Sequence, residues 1–172
     1  MTDELDYDKA HDLFVYEPKT GRLIRRISQS GGGPAGSEAG SFDTLGYRRV
    51  MVNGKDYKTH RIIWLMNYGK WPENEIDHID HDPANNRLNN LRNVDRTANG
   101  KNQKLSKNNT SGLCGVLWHK RDEVWTARMQ NTERFIHLGN FDNLLDAACA
   151  RKSAEIENGF HENHGQPQAG RM

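Results

Sequence analysis

The sequence predicts an α+β chain built from two small modules, and three observations carry that reading. The hydrophobic fraction is 34% over 172 residues, which is thin for one large core and suits two smaller ones. Short β-compatible runs separated by turn residues alternate with only a few helical stretches. The charge pattern also changes sign partway along. Six acids (Glu73, Glu75, Asp77, Asp80, Asp82 and Asp95) face only Arg87 and Arg92 between 73 and 95, whereas eight Lys or Arg oppose three acids between 96 and 137. That is the arrangement expected of a cation site lying beside a phosphate-binding surface.

The elements follow in order. Residues 13–16 and 22–25 read as strands joined by the turn Pro18-Lys-Thr-Gly21. Residues 28–41, rich in Ser, Gly, Ala and Pro, predict a mobile loop of slight functional content. Residues 47–52 and 55–59 flank Asn53-Gly54, the strongest two-residue hairpin signal. His60 to Tyr68 lacks strand alternation and stops at Gly69, so it predicts a helix. Residues 75–79 and 91–94 are short strands around the turn 82–86, and Asp95 caps a short helix reaching about Gln103. This gives N-terminal β hairpins and a strand, loop, strand, helix core over 1–103. A polar linker spans 104–111. The second module, 112–160, offers three β candidates at 115–120, 124–130 and 134–138, then a helix over 143–158. Its apolar stripe is read as Leu144, Leu145, Ala148, Ala154 and Ile156. Residues 161–172 predict a disordered tail.

Cys114 and Cys149 form no Cys-x-x-Cys pair, which argues against a disulfide framework or structural zinc and for a reduced, cytoplasmic setting. No apolar run approaches the roughly 20 residues that span a bilayer, and the acidic start is opposite to a signal peptide. A net charge of +1 by itself says little about partners.

Phosphodiester hydrolysis needs a water nucleophile, a base to activate it and a cation to meet charge on the phosphate. Asp77-His78 puts a ligand and a base side by side, and strand geometry sends neighbours to opposite faces, so one ligand and one base is the natural division. The Asn99 carboxamide, on the following helix, completes a hard-oxygen site for one Mg²⁺ or Mn²⁺. Asn90 is placed to orient the imidazole and fix its tautomer. Nine asparagines crowd residues 85–109, so spacing alone weighs less than the flanking motifs. Asp80 and His81 read as solvated loop residues, and His60 as a structural polar contact.

Those motifs, His60-Arg61-Ile-Ile-Trp64, Ile76-Asp-His-Ile79, Asn86-Arg-Leu-Asn-Asn-Leu-Arg92 and Asn99, resemble the HNH endonucleases of phages and group I introns, with the ββα-metal fold. The resemblance covers about a third of the chain, residues 47–102. It implies that His78 is the general base, that Asn90 orients it, and that Asp77 and Asn99 hold one divalent cation. The chain is similar to the variant ending in Asn and lacks the paired cysteines of zinc-bearing relatives.

Ser111-Gly-Leu-Cys-Gly-Val-Leu-Trp118, Trp125-Thr-Ala-Arg128, Ile136-His-Leu-Gly-Asn-Phe141 and the Ala147-Ala148 helix resemble the APETALA-two, or ethylene-response-factor, DNA-binding domain. That resemblance implies a three-stranded antiparallel sheet backed by one helix and laid in the major groove. Alternation sends Val116, Trp118, Ala127, Met129, Ile136 and Leu138 toward the helix. Leu117, His119, Arg128, Gln130 and His137, with Arg121 and Arg134, become the DNA-contact candidates. Cys114, Leu117, His119 and Phe135 stand where the plant domains carry groove-reading arginines, so the plant target sequence does not carry over. The expected whole is a homing-type, metal-dependent endonuclease. It cuts one strand of double-stranded DNA per active site, as a monomer or weak dimer, in the host cytoplasm if phage-encoded. The alternatives are a non-catalytic DNA-binding regulator that keeps the scaffold and, third, an RNA-binding or RNA-cutting module, since basic surfaces and phosphate chemistry suit both nucleic acids.

Overall fold

A computed structural model describes residues 5–28, 32–130 and 134–166. The fold is α+β, and the chain divides into two compact units, Met1–Val94 and Asp95–Met172.

The first unit opens with a helix that pattern reading passes over, α1 (Tyr7–Leu13), capped where the Asp6 carboxylate accepts from Lys9 N at 2.9 Å. Strands β1 (Phe14–Glu17) and β2 (Arg22–Arg25) pair antiparallel across the expected turn. β3 (Ser41–Phe42), β4 (Arg48–Val52) and β5 (Lys55–Lys58) form a sheet in sequence order. The Asn53-Gly54 turn carries positive φ at both residues, as a type I′ hairpin requires. α2 (Thr59–Tyr68) stops at Gly69, whose left-handed backbone lets its N–H bond Leu65 O. Phe14, Leu23, Val50, Ile62, Ile63 and Leu65 are buried together, each worth about 1.5–3 kcal/mol on removal from water. Against this core lies a two-stranded ladder, β6 (Glu75–His78) with β7 (Leu91–Val94), entered through the 3-10 turn Leu88–Asn90.

The Ser/Gly/Ala/Pro-rich segment is not the mobile loop its composition predicts. Its residues 29–31 lie outside the described part, but beyond them the chain runs along β2. Arg25 N bonds Ser37 O at 2.9 Å, Ala39 N bonds Leu23 O at 2.7 Å, and Ala39 is fully buried. The physical reason is that β2 otherwise presents unpaired backbone groups beside a core, and a small-residue segment satisfies them. Gly40, at φ +83°, makes the fit possible, because a Cβ there would come to 2.2 Å from Arg49 O. Gly40→Ala should cost about 2–4 kcal/mol, through backbone strain and a clash with β4, and urea denaturation measures it.

In the second unit, α3 (Arg96–Gly100) is capped by Asp95, whose carboxylate accepts from Ala98 N at 2.8 Å. It ends before the expected Gln103. Strands β8 (Val116–His119), β9 (Val124–Gln130) and β10 (Phe135–Phe141) form an antiparallel sheet of order β10-β9-β8. Of the turn joining β9 to β10, residues 131–133 lie outside the described part. α4 (Leu144–Glu157) packs on the sheet and is capped by Asn143, whose side chain accepts from Asp146 N.

The face that α4 buries differs from the predicted stripe. Ala147, Arg151, Ala154 and Glu155 are buried, while Leu145 and Ile156 are 71% and 81% exposed. Arg151 and Glu155 pair at 3.0 Å inside the unit, so the i, i+4 face is set partly by an ion pair that hydropathy cannot register. On the sheet, Val116, Ala127 and Met129 are buried as alternation predicts. Trp118 is not: it is exposed, and its ring lies tilted against Trp125 with centroids 5.2 Å apart. A register shift between His137 and Gly139 breaks the period on β10 and leaves Ile136 and Leu138 half-buried.

The start of the predicted disordered tail is ordered. His161 N bonds Lys101 O, Gly165 N bonds Gln103 O, and His164 is buried against the Phe160 ring with Nε2 3.1 Å from Arg151 Nη2. Aromatic and buried-arginine contacts anchor a segment whose composition reads as polar. Residues 167–172, the rest of that tail, lie outside the described part.

Candidate active site

The site is built on the β6–β7 ladder. Register sets Asp77 opposite Arg92 and His78 opposite Leu91. Arg92 reaches across with Nε at 2.8 Å and Nη2 at 2.7 Å from Asp77 Oδ2. Asp77 and His78 are both buried, on neighbouring positions of one strand whose side chains diverge.

A chain of hydrogen bonds fixes the His78 tautomer. Thr59 Oγ1 donates to Arg48 O at 3.1 Å, an obligate acceptor, so the hydroxyl oxygen accepts in turn from Asn86 Nδ2 at 3.3 Å. This turns Asn86 Oδ1 toward His78 Nε2, 2.9 Å away, and the ring must donate there. The lone pair then resides on Nδ1. Burial is the main cause that pulls the His78 pKa below the usual histidine value, opposed by the Asn86 hydrogen bond and by Asp80, Asp77 and Asp82. The ring is therefore neutral at physiological pH, the form a base requires.

Its surroundings are aromatic. His60 lies edge-on to His78 with centroids 5.0 Å apart, and Tyr47 lies 5.4 and 5.8 Å from the two rings. Burial first, then His78, Lys58 and Arg61, push His60 down to about 2, so it is a neutral wall. Burial together with Asp77, Asp43 and Glu75 raises Tyr47. Lys58 Nζ sits 4.2 Å over the Tyr47 ring. Arg48 and Arg49 are tied up in ion pairs with Glu38 and Asp56.

Asn90 is buried close by, but its side chain meets the loop rather than the imidazole. Its Nδ2 donates to Asp80 Oδ1 and Asn85 O, both at 2.8 Å, and its Oδ1 accepts from Asp80 N at 3.1 Å. Asp80 in turn accepts from Asn85 Nδ2 at 2.6 Å. Asn90 thereby locks the 79–86 loop that delivers Asn86 to His78. Asp80 is thus a structural acceptor within this loop, not a purely solvated residue. Sequence reasoning left Asn86 and Thr59 without roles, although Asn86 opens the Asn-Arg-Leu-Asn-Asn-Leu-Arg motif. Asn99 lies on α3, in the second unit, half-buried, with its N–H bonding Asp95 O.

In the second unit Arg128, Gln130, Arg134 and His137 are exposed, and Leu117 and His119 are half-buried. His137 sits opposite Arg128 in the ladder. Arg121 is exposed and pairs with Asp122, which His119 also approaches at 3.2 Å. Arg128 lies over the Phe135 ring at 5.2 Å.

The ladder, its turn and the buried histidine lie in the segment 57–101, which matches the HNH endonuclease family model. That segment carries Asp77, His78, Asn90 and Asn99 and ends before the second-unit sheet. Among curated proteins, the chain is similar to Protein 3.8 of Escherichia phage T7, 42% identical over 69 residues, 40% of this chain and 57% of that protein. The chain thus matches a little over half the length of that relative. No solved structure matches it. No helix among the described residues is long and apolar enough to cross a membrane.

Proposed function

We propose that this chain is a divalent-metal-dependent endonuclease of the homing type that nicks double-stranded DNA, one strand per active site, with His78 as general base. The observation that carries the reading is the neutral, buried His78 held by Asn86 with its lone pair on Nδ1, beside Asp77, inside the segment that matches the HNH endonuclease family. Nδ1 takes the proton of the attacking water, and Nε2–H stays on Asn86, so the imidazolium that forms keeps both its orientation and a hydrogen-bonded proton. Asn90 acts by holding the loop that carries Asn86.

Asp77 offers a hard carboxylate oxygen, and the family pattern adds the Asn99 carboxamide. One carboxylate with neutral oxygen donors fits Mg²⁺ or Mn²⁺, which keep water and substrate phosphate as remaining ligands. When bound, the cation neutralises charge on the scissile phosphate and the departing oxygen.

The second unit anchors the duplex through Leu117, His119, Arg121, Arg128, Gln130, Arg134 and His137. With one active site per chain, a monomer nicks, and a weak dimer would be needed to break both strands. The phage origin of the relative supports an activity in a host cytoplasm. A second reading, a DNA-binding regulator without cleavage, is favoured by the Arg92–Asp77 ion pair, which already meets the carboxylate charge.

Nicking of supercoiled plasmid separates the two. The intact protein should nick with Mg²⁺ or Mn²⁺ and stop when EDTA is added. DNA that is bound but left uncut with either metal transfers the conclusion to the regulator.

A further inference from the structure

The second unit contains a cleft of about 520 Å³ that shares only Arg128 and Gln130 with the duplex contacts above. Its walls carry Arg96, Lys101, Arg128 and Arg151, with no carboxylate among its described lining residues. Arg96 and Arg128 are exposed and have no acidic partner among the described residues, and Arg128 rests on Phe135. Lys101 donates to Asn158 O at 2.7 Å, and Lys101 and Arg151 both approach the Phe160 ring. Arg151 is buried. Its Nε meets Cys114 O and Glu155, its Nη2 meets His164, and its Nη1 has no hydrogen-bond acceptor among the described residues. A buried guanidinium N–H without an acceptor is costly, and an anionic oxygen that reached it would satisfy it.

Two further features specify the ligand. Phe135 is 62% exposed at the rim, a large ring left in water beside an unpaired guanidinium. β9 also runs past the start of β8, where Gly115 O accepts from Arg128 N and both residues line the cleft. Unpaired cations tracking a groove, with an aromatic face at its edge, are how single strands are held, phosphates on the cations and a base on the ring. A recess of this volume admits one unstacked base, with the neighbouring backbone phosphates on the cations along its walls, whereas duplex readout uses the open sheet face.

We propose that this cleft binds a single DNA strand, its backbone phosphates on Arg96, Lys101 and Arg128 and one unstacked base on Phe135. The proposal rests on the reading that the second unit binds DNA. It gives the enzyme a grip on unpaired strand beside duplex.

Anisotropy of a labelled oligothymidylate, over a salt series, tests it on the full chain. The parent should bind. Arg96→Gln with Arg128→Gln should flatten the log K against log salt slope by about 1.4, the loss of two phosphate contacts on a single strand. Phe135→Ala should weaken binding about tenfold with the slope unchanged. All three positions are exposed, and circular dichroism confirms that the variants fold. His78→Ala should bind oligothymidylate like the parent, which separates the cleft from cleavage. Unchanged affinity and slope in the variants overturn the proposal. Stronger binding of oligouridylate overturns its assignment to DNA. Displacement by inorganic phosphate at equal ionic strength overturns it in favour of a free-anion site. Duplex binding without oligothymidylate binding removes the cleft and leaves the DNA-binding reading standing; binding of neither removes both.

Discussion

Replacing His78 by alanine should slow Mg²⁺-dependent nicking of supercoiled plasmid by about 10²–10⁴-fold, the usual contribution of a positioned general base. The imidazole is neutral because it is buried, and its tautomer is dictated by the path Arg48 O, Thr59, Asn86, His78. That path makes a second, graded expectation. Asn86→Ala leaves Nε2–H without its acceptor, a cost of about 1–3 kcal/mol for a buried donor. The ring is then at liberty to turn or to change tautomer. Its rate should fall about tenfold or more, with the Mg²⁺ requirement unaltered. Asn90→Ala acts one step further out, through the 79–86 loop, so its loss should appear in thermal stability as well as in rate. Quantified gel assays beside circular dichroism melts distinguish these cases. A folded His78→Ala protein that nicks at the parent rate removes the imidazole from the chemistry.

The graded effects reflect which features a sequence can display. Asp77, His78 and Asn90 stand out because their order and flanking motifs are local, and the structure gathers these three around one short ladder and its loop. Asn86 was harder to single out among nine asparagines between 85 and 109, because its role depends on Thr59, 27 positions away. Hairpins with strong turn chemistry, such as the one at Asn53-Gly54, were legible from two residues. Helix α1 was not, since seven residues give barely two turns of period, and its signal is the Asp6 cap more than its hydropathy. The segment ending at Gly40 and the residues around His164 failed for a shared reason. Composition reports what a segment lacks, whereas order there comes from a distant partner: the open side of β2 in one case, Lys101 and Gln103 in the other.

Acid should unfold this protein earlier than its carboxylates alone would require, and His60 should account for much of the difference. His60 is 3% exposed, and its Nδ1 has no hydrogen-bond partner among the described residues. The groups facing it are the His78 and Tyr47 rings, with the Lys58 and Arg61 charges nearby, none of which welcomes a second cation. Its pKa is pushed down to about 2 from 6.5. Between those values the unfolded chain holds a proton that the folded chain refuses. The stability present above pH 6.5 is therefore lost as pH falls, at about 1.4 kcal/mol per pH unit. By a pH of about 4.5 the loss is about 3 kcal/mol, a large part of the 5–15 kcal/mol that holds a typical domain. His78 is depressed in the same direction and steepens the fall. His60→Phe keeps an aromatic ring in the slot and removes the titration. Packing differences shift its absolute stability, so the slopes are what to compare. Urea midpoints between about pH 6.5 and 4.5 should fall less steeply in His60→Phe, by about 1.4 kcal/mol per pH unit. Parallel curves would mean that His60 takes up its proton in the folded protein and that the wall beside the base is not kept neutral.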